Sequence, residues 1–538
     1  MDHSLEQEVH AWIADDPDPL TAAQLQQWLD SGNEAELRAS FNGFLQFGTA
    51  GLRGPIRPGP SGMNRAVVGR AASGIVAYMK ERNLTSVVIG RDARCGSEDF
   101  TFETAEIMSG AGMKVYVLPR PLPTPVLAFA TNELMCDVGI MVTASHNPPQ
   151  DNGYKVYLGG TVDGIYYRGS QIVSPTDEAI AAKIDAVTSL KSQPRGKVWE
   201  VLGEEIIERY INQTASLVSN PGALRIVYTA MHGVGTETIQ RVFHKAGFQS
   251  PILVEAQAAP DPDFPTVAFP NPEEPGAIDL ALQTAKAFDA HLVIANDPDA
   301  DRCAAAVKDP ITGWRMLRGD ELGAIFAESI ARRIDTGIFA NSIVSSSIVK
   351  KIADHYNLDF KETLTGFKWL AKIENLTFGY EEALGYSVDS ATVNDKDGIS
   401  AAITLAQIAT DLAAQGKTLL DLLDEIWQRH GFHATEQISI RLSDLSKVGI
   451  ILGNLRSNPP QEIAGRSVTS IDDLATPTDG LPPTDGIRIW LDGGVRIIIR
   501  PSGTEAKMKC YIEAIERDSK TAQVVLDQLR PPLKELLS

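Results

Sequence analysis

The chain has 538 residues, too many for one hydrophobic core and enough for three or four domains of ordinary size. Its 43% hydrophobic and 22% charged residues are those of a globular protein rather than a disordered or fibrous one. With 49 basic against 69 acidic residues the net charge is −20, which argues against a basic nucleic-acid face but not against an anionic ligand held by local Arg and Lys clusters.

The acidic start, MDHSLEQEVHAWIADDPDP, lacks the apolar segment of a secretory signal. No apolar run reaches the ~18 residues that cross a bilayer. Cys95, Cys136, Cys303 and Cys510 form no CxxC pair and read as buried thiols. These features predict a cytoplasmic protein of a reducing compartment.

Gly48-Thr49-Ala50-Gly51-Leu52-Arg53-Gly54 is a glycine-rich loop ending in a cation, a weak signal alone. SVVIGRD (86–92) predicts a strand, followed by a helix over about 98–110 and a second strand, KVYVLP (114–119). The charges of Arg91, Asp92 and Arg94 suit a structural ion pair as well as a site. VGIMVT (138–143) predicts a short buried strand running into a polar turn with Ser145, His146 and Asn147, where Pro148-Pro149 prevents a helix. Such a turn presents Ser145 at a sheet rim, where α/β proteins do their chemistry. Lys155 supplies a cation ten residues later. A solvated Asn-Pro turn is the plain alternative.

Turn residues around a helix in 190–222 place a first boundary near 215. ALRIVYTAMHGVG (223–235) precedes the helical TETIQRVFHKAGF, and HLVIANDPDADR (291–302) ends another strand. Gly233-Val234-Gly235 is no dinucleotide fingerprint, because Thr238 replaces its third glycine. Asp297, Asp299 and Asp301 alternate directly after the strand, a spacing that turns three carboxylates onto one hard cation, with Mg²⁺ the natural choice. An EF-hand is excluded, since the positions needing Gly and Glu hold Arg302 and Lys308. A solvated acidic turn is the alternative.

A second boundary falls near 320. Beyond it come Thr365-Gly366-Phe367-Lys368 and Gly379-Tyr380-Glu381-Glu382-Ala383-Leu384-Gly385. A carboxylate held in such a loop accepts sugar hydroxyls, and Lys368 suits a phosphate. Gly416-Lys417-Thr418 is not a P-loop, because Asp411 stands at its first glycine. The third boundary lies near 432, giving domains 1–215, 216–320, 321–432 and 433–538. The last returns to strands, with TPTDGLPPTDG (476–486) as a surface loop. After VRIII, Arg500-Pro501-Ser502-Gly503-Thr504-Glu505 has the parts of an anion nest suited to phosphate, and Lys507 adds charge. A plain turn is again the alternative. The alternation of strands and helices predicts an α/β fold of repeated units with parallel or mixed sheets.

In this order, TASHNPPQDNGYK, NDPDADR, GYEEALG and RPSGTE closely resemble the α-D-phosphohexomutase superfamily (phosphoglucomutase and phosphomannomutase), over about residues 45–515. TGFKW (365–369), GYEEALGY and NDKDGISAA (394–402) are most similar to the branch with phosphopentomutase, glucose-1,6-bisphosphate synthase and bacterial phosphosugar mutases. The resemblance implies four domains around a central cleft, three related mixed α/β domains and a C-terminal α+β domain. It implies Ser145 as the phosphoserine, with Asp297, Asp299 and Asp301 holding Mg²⁺ beside it. Arg302 would add positive charge, and His146, Lys155 and Arg53 would complete the catalytic set. Thr365, Gly366, Lys368, Glu381 and Glu382 would read the sugar. Arg500, Ser502, Gly503, Thr504 and Lys507 would grip the phosphate that is not transferred.

The implied reaction interconverts a sugar 1-phosphate and 6-phosphate, glucose first, with glucose 1,6-bisphosphate or its cognate as activator and intermediate. Mannose and ribose phosphates, and bisphosphate synthesis, are the alternatives within the same chemistry. A non-catalytic sugar-phosphate binder has no need of the complete set, and a serine hydrolase would lack an acid to orient His146. The implied partner is a small phosphosugar, with no nucleic acid or membrane; oligomeric state is left open. Relatives with a Gly-Glu-x-Ser-Gly-His loop carry serine and histidine where this chain has Ala383 and Gly385. The missing hydroxyl partner is worth roughly 0.5–1.5 kcal/mol and bears on sugar identity more than on reaction type.

Overall fold

The structure is a computed structural model describing residues 3–442, 446–478, 480–501 and 507–537. It divides into two compact units. The first runs through Leu317 and adds Ala371–Asn375 and Gly385–Asp411; the second comprises Arg318–Leu370, Leu376–Leu384 and the chain from Leu412 onward. No helix among the described residues is long and apolar enough to cross a membrane.

The first unit opens with the helices His3–Asp15, Pro19–Ser31 and Glu34–Ser40. They bury Leu5, Val9, Leu25 and Leu37 among Trp12, Trp28 and Phe41. Their signals are local: Asp18 accepts the Leu20 amide at 2.9 Å, Pro19 occupies the first turn, and Gly32 ends the second helix at φ 65°.

Next comes a sheet in the order Leu52–Pro55, Asp151–Leu158, Val138–Val142, Ser86–Arg91, Lys114–Val117, Glu200–Val201, with Ser170–Gln171 beside Asp151–Leu158. From Val138–Val142 to Glu200–Val201 the strands are parallel. Every residue of Val138–Val142 is buried, as a strand covered on both faces requires. Helices Ser97–Gly110 and Thr124–Glu133 make the crossovers. Asp151–Leu158 returns antiparallel with Met141 opposite Lys155, so the ten-residue spacing from Ser145 brings Lys155 back to the same strand end. Leu52–Pro55 is antiparallel to that return strand, with Arg53 opposite Gly153.

A second sheet in the same unit has the order Ile252–Leu253, Ile226–Thr229, Leu292–Ala295, Ala304–Asp309, Gly313–Met316. Its first three strands are parallel and the rest antiparallel. Leu292–Ala295 is wholly buried and ends at the acidic loop.

In the second unit, Asp359–Thr363, Ile338–Ser342 and Leu376–Glu381 lie parallel. The C-terminal sheet is antiparallel, in the order Phe432–Arg441, Lys507–Glu516, Val495–Pro501, Ile487–Leu491, Arg466–Asp473, Glu462–Ile463. Alternation sorts its residues: Ile497 and Ile499 join Leu526, Leu529 and Leu533 of helix Ser519–Leu536, while Ile498 packs with Ile343, Leu364 and Tyr511. Cys136, Cys303 and Cys510 are buried, but Cys95 is exposed. That corrects the expectation of four buried thiols; Cys95 lies in the surface turn between strand Ser86–Arg91 and helix Ser97–Gly110.

Candidate active site

In the first unit two strand ends meet. Val138–Val142 carries the serine loop and Leu292–Ala295 the acidic loop. Ser145 is buried, with its amide donating to Thr143 Oγ1 at 2.9 Å and its Oγ donating to Asp297 Oδ2 at 2.8 Å. Its φ of 51° lies in the left-handed region, which costs a non-glycine residue about 1 kcal/mol or more. That cost is met by Arg94. Its buried guanidinium donates to the carbonyls of Ser145 (2.7 Å), Asn147 (2.6 Å), Pro148 (2.8 Å) and Asp151 (3.1 Å). Asp92 holds Arg94 from behind at 3.4 Å. The charged strand end at 90–94 is therefore a structural ion pair that shapes the serine loop, while Arg91 pairs with Glu98 at the surface.

The acidic loop turns tightly, with the Ala300 amide bonded to the Asp297 carbonyl at 2.9 Å and Ala300 at φ 54°. Asp297, Asp299 and Asp301 are buried and bring a carboxylate oxygen each to within 4.8 Å of one another. Their oxygens divide between two duties. Thr124 Oγ1 (2.6 Å) and Lys155 Nζ (2.8 Å) take Asp299 Oδ2, and Lys155 (2.9 Å) and Lys396 (3.0 Å) take Asp301 Oδ2. Asp299 Oδ1 and Asp301 Oδ1 are buried without a hydrogen-bond partner. Two orphaned carboxylate oxygens beside Asp297 are hard donors for an oxygen-preferring divalent cation, so the residues present fit Mg²⁺.

Burial and the charges of Asp299 and Asp301 push the Asp297 carboxyl well above the usual carboxylate range. Burial acts upward on Asp301 too, but Lys155, Lys396 and Arg302 outweigh it and hold that group low. Asp299 is also held low: burial and Asp301 oppose this, and Lys155 and Thr124 prevail. Lys155 is desolvated, yet Asp299 and Asp301 keep it more firmly protonated than a free lysine. His146, whose Nδ1 lies 3.3 Å from Ser145 Oγ, is pushed well below its usual value by burial and by Arg302 and Arg53, so it is neutral at pH 7. Arg53 donates to Asn147 Oδ1 at 3.3 Å, and Arg302 Nε is 4.0 Å from Asp297 Oδ2.

The second unit carries the other expected residues. The Gly366 amide, at φ 113°, donates to Glu381 Oε1 at 2.6 Å, which joins the two loops the sequence singled out at 365–368 and 379–385. Thr365 Oγ1 is buried without a hydrogen-bond partner, and Lys368 is half-buried. Glu382 accepts from Ser345 Oγ at 2.9 Å and Ser342 Oγ at 3.3 Å. Burial, Glu381 and Asp320 raise its carboxyl to about 7. Arg500, half-buried, is the penultimate residue of the strand Val495–Pro501, and Lys507 opens Lys507–Glu516. Ser502, Gly503 and Thr504 lie outside the described residues.

Lys396 and Thr124 were not anticipated as site residues. A buried carboxylate triad demands cations and donors, but nothing in the local sequence says which loops supply them. Gly398 shows how closely the Lys396 loop is seated: a Cβ there would lie 2.2 Å from the Arg302 carbonyl oxygen and 2.7 Å from Asn296 Nδ2.

Models of the phosphoglucomutase/phosphomannomutase family match four successive segments: α/β/α domains I (45–191), II (208–313) and III (318–430), and the C-terminal domain (454–529). A probable phosphomannomutase of Haemophilus influenzae is 48% identical over 88% of this chain and 98% of its own. Mouse phosphopentomutase is 34% identical (95% and 90%), and Staphylococcus haemolyticus phosphoglucomutase 33% (93% and 95%). Among solved structures, a putative phosphomannomutase from Thermus thermophilus superposes with a TM-score of 0.70 at 22% identity, covering 91% of this chain and 99% of that one.

Proposed function

The chain belongs to the phosphoglucomutase/phosphomannomutase family and is an intramolecular phosphotransferase acting on small phosphosugars, and on that premise we propose that it interconverts glucose 1-phosphate and glucose 6-phosphate through a phosphoserine at Ser145. The observation that carries this reading is the Ser145 Oγ to Asp297 contact at 2.8 Å, which sets the serine against a buried three-carboxylate cluster. Mannose and ribose phosphates use the same chemistry. The relatives named for phosphomannomutase and phosphopentomutase keep both as readings of sugar identity.

In the proposed cycle, the Oγ–P bond of phosphorylated Ser145 breaks as a sugar hydroxyl oxygen bonds to phosphorus. The hydroxyl proton passes to the neutral imidazole of His146. The resulting bisphosphorylated sugar turns over, and its other phosphate returns to Ser145 by the reverse step. Asp297, Asp299 and Asp301 would hold Mg²⁺, which supplies charge neutralisation at the phosphoryl group when bound. Lys155 and Arg302, which lie against the carboxylate cluster, would offset the charge of the phosphoryl oxygens. Glu381 and Glu382 accept sugar hydroxyls with Thr365, Gly366 and Lys368 beside them, and the Arg500 loop with Lys507 binds the distal phosphate.

We assign these roles to domains 1–215 (serine loop), 216–320 (metal loop), 321–432 (sugar loop) and 433–538 (distal phosphate). We also propose a cytoplasmic setting, supported by three buried, unpaired thiols. The test is kcat/KM for glucose, mannose and ribose 1-phosphates, with Mg²⁺ and a trace of glucose 1,6-bisphosphate. A glucose preference is expected; a ribose preference reassigns the chain to phosphopentomutase chemistry. Failure on all three with Ser145 phosphorylated removes the mutase reading in favour of bisphosphate synthesis or sugar-phosphate binding.

A further inference from the structure

Lys396 reaches Asp301 from a loop more than ninety residues away in sequence, and that loop is held by a brace outside the catalytic set. Tyr210, on helix Glu204–Ala215, is fully buried and donates its hydroxyl to both oxygens of Asp397, at 2.9 and 3.1 Å. Asp397 in turn accepts the amides of Ile399 (2.9 Å) and Ser400 (3.1 Å), starting helix Gly398–Ala413. Its own amide donates to the Tyr386 carbonyl at 2.9 Å. On the other side, Asn296 Nδ2 donates to the carbonyls of Arg302 (2.6 Å) and Gly398 (3.1 Å), and Tyr228 donates to Asn296 Oδ1 at 2.7 Å. Lys396 is the residue just before this doubly anchored Asp397-Gly398 step.

We propose that Tyr210 is a positioning residue: through Asp397 it sets the Lys396 ammonium against Asp301 Oδ2, and so fixes how much positive charge the protein itself places at the carboxylate triad. The inference rests on the mutase reading for its kinetic consequence, but its metal-binding consequence does not. Lys396 and a divalent cation draw on the same carboxylate charge. A lysine held at 3.0 Å weakens the attraction of Asp301 for metal, while keeping a cation where phosphoryl charge develops. Loosening Lys396 therefore acts on the two properties with opposite sign. Metal binds more tightly and turnover slows. Damage to the fold would lower both.

The test uses the full chain with Tyr210→Phe, Lys396→Met and the double variant carrying both, and Mn²⁺ as a paramagnetic stand-in for Mg²⁺ followed by electron spin resonance. Lys396→Met is expected to lower the metal Kd about threefold or more and to cut turnover about tenfold or more. Tyr210→Phe should move both in the same directions by less, and the double variant should not exceed Lys396→Met. A fall in metal affinity together with turnover in Tyr210→Phe would make its role purely structural. If Lys396→Met shifts both properties while Tyr210→Phe shifts neither, the brace does not position Lys396. An unchanged metal Kd in Lys396→Met overturns the charge argument itself. Inactivity of the unaltered enzyme on every phosphosugar would defeat the mutase reading, yet leave the Mn²⁺ comparison decisive for Tyr210.

Discussion

Arg94 donates to the carbonyl of Ser145 at 2.7 Å while remaining 3.4 Å from the carboxylate of Asp92, so one buried guanidinium ties the serine loop to the neighbouring strand end. Arg94→Lys keeps the charge but loses the planar fork that reaches four carbonyls. It should reduce turnover by about 10–100-fold with a modest drop in Tm. Arg94→Ala also leaves Asp92 buried without its partner, and should cost about 3–5 kcal/mol. Thermal unfolding beside steady-state kinetics checks both; equal effects of the two substitutions would show that only the charge matters.

Ser145→Ala removes the group proposed to carry the phosphoryl. Turnover should vanish while the unfolding transition stays within about 0.5–2 kcal/mol of the unaltered chain, since one hydrogen bond to Asp297 is lost. Near-normal turnover would exclude Ser145 as the donor. Asp299→Asn should weaken magnesium dependence and rate together, read from a magnesium titration of kcat.

At Gly398 a methyl group has no room. Its Cβ would stand 2.2 Å from the Arg302 carbonyl oxygen, part of the chain that closes the acidic loop. Gly398→Ala should displace that loop, lowering metal affinity and turnover by about tenfold or more. Calorimetric titration with Mg²⁺ measures the first directly, and an unaltered affinity would mean the two loops yield independently.

Glu382 offers a pH test in the second unit. Its carboxyl is raised to about 7 by burial, with Glu381 and Asp320 adding to the effect. The folded state therefore binds a proton that the unfolded chain, with a carboxyl near 4.5, releases. This contribution is fully present below pH 4.5 and is lost as pH rises through about 7. Between those limits it amounts to roughly 1–3 kcal/mol. Glu382→Gln should flatten the fall in Tm over that interval, and parallel Tm profiles for the two proteins would show that Glu382 ionises normally.

The chemistry of the site was readable where it is local. Ser145 follows an uninterrupted apolar strand and precedes two prolines, and Asp297, Asp299 and Asp301 alternate after another such strand. Strand period and carboxylate spacing are properties of a few consecutive residues, so they survive in a sequence read alone. The ambiguity at Arg91, Asp92 and Arg94 was not local, because charges of both signs crowd one strand end whichever role they serve. Only the pairing of Arg94 with carbonyls more than fifty residues away assigned it to loop support.

By itself, the sequence determined the strand ends, the hard-donor triad and the order of the loops, and the family resemblance those motifs carry implied the class of reaction. Tertiary structure decided which cations and donors meet the triad: Lys155 through antiparallel register, Thr124 from a helix start, and Lys396 from a distant loop braced by Tyr210. It also decided that His146 is neutral while Lys155 stays charged. The reason is physical. Which backbone conformations a short segment prefers is set by its own side chains, whereas desolvation and Coulomb energy at a buried group depend on every charge that folding brings within a few ångströms, whatever its place in the chain.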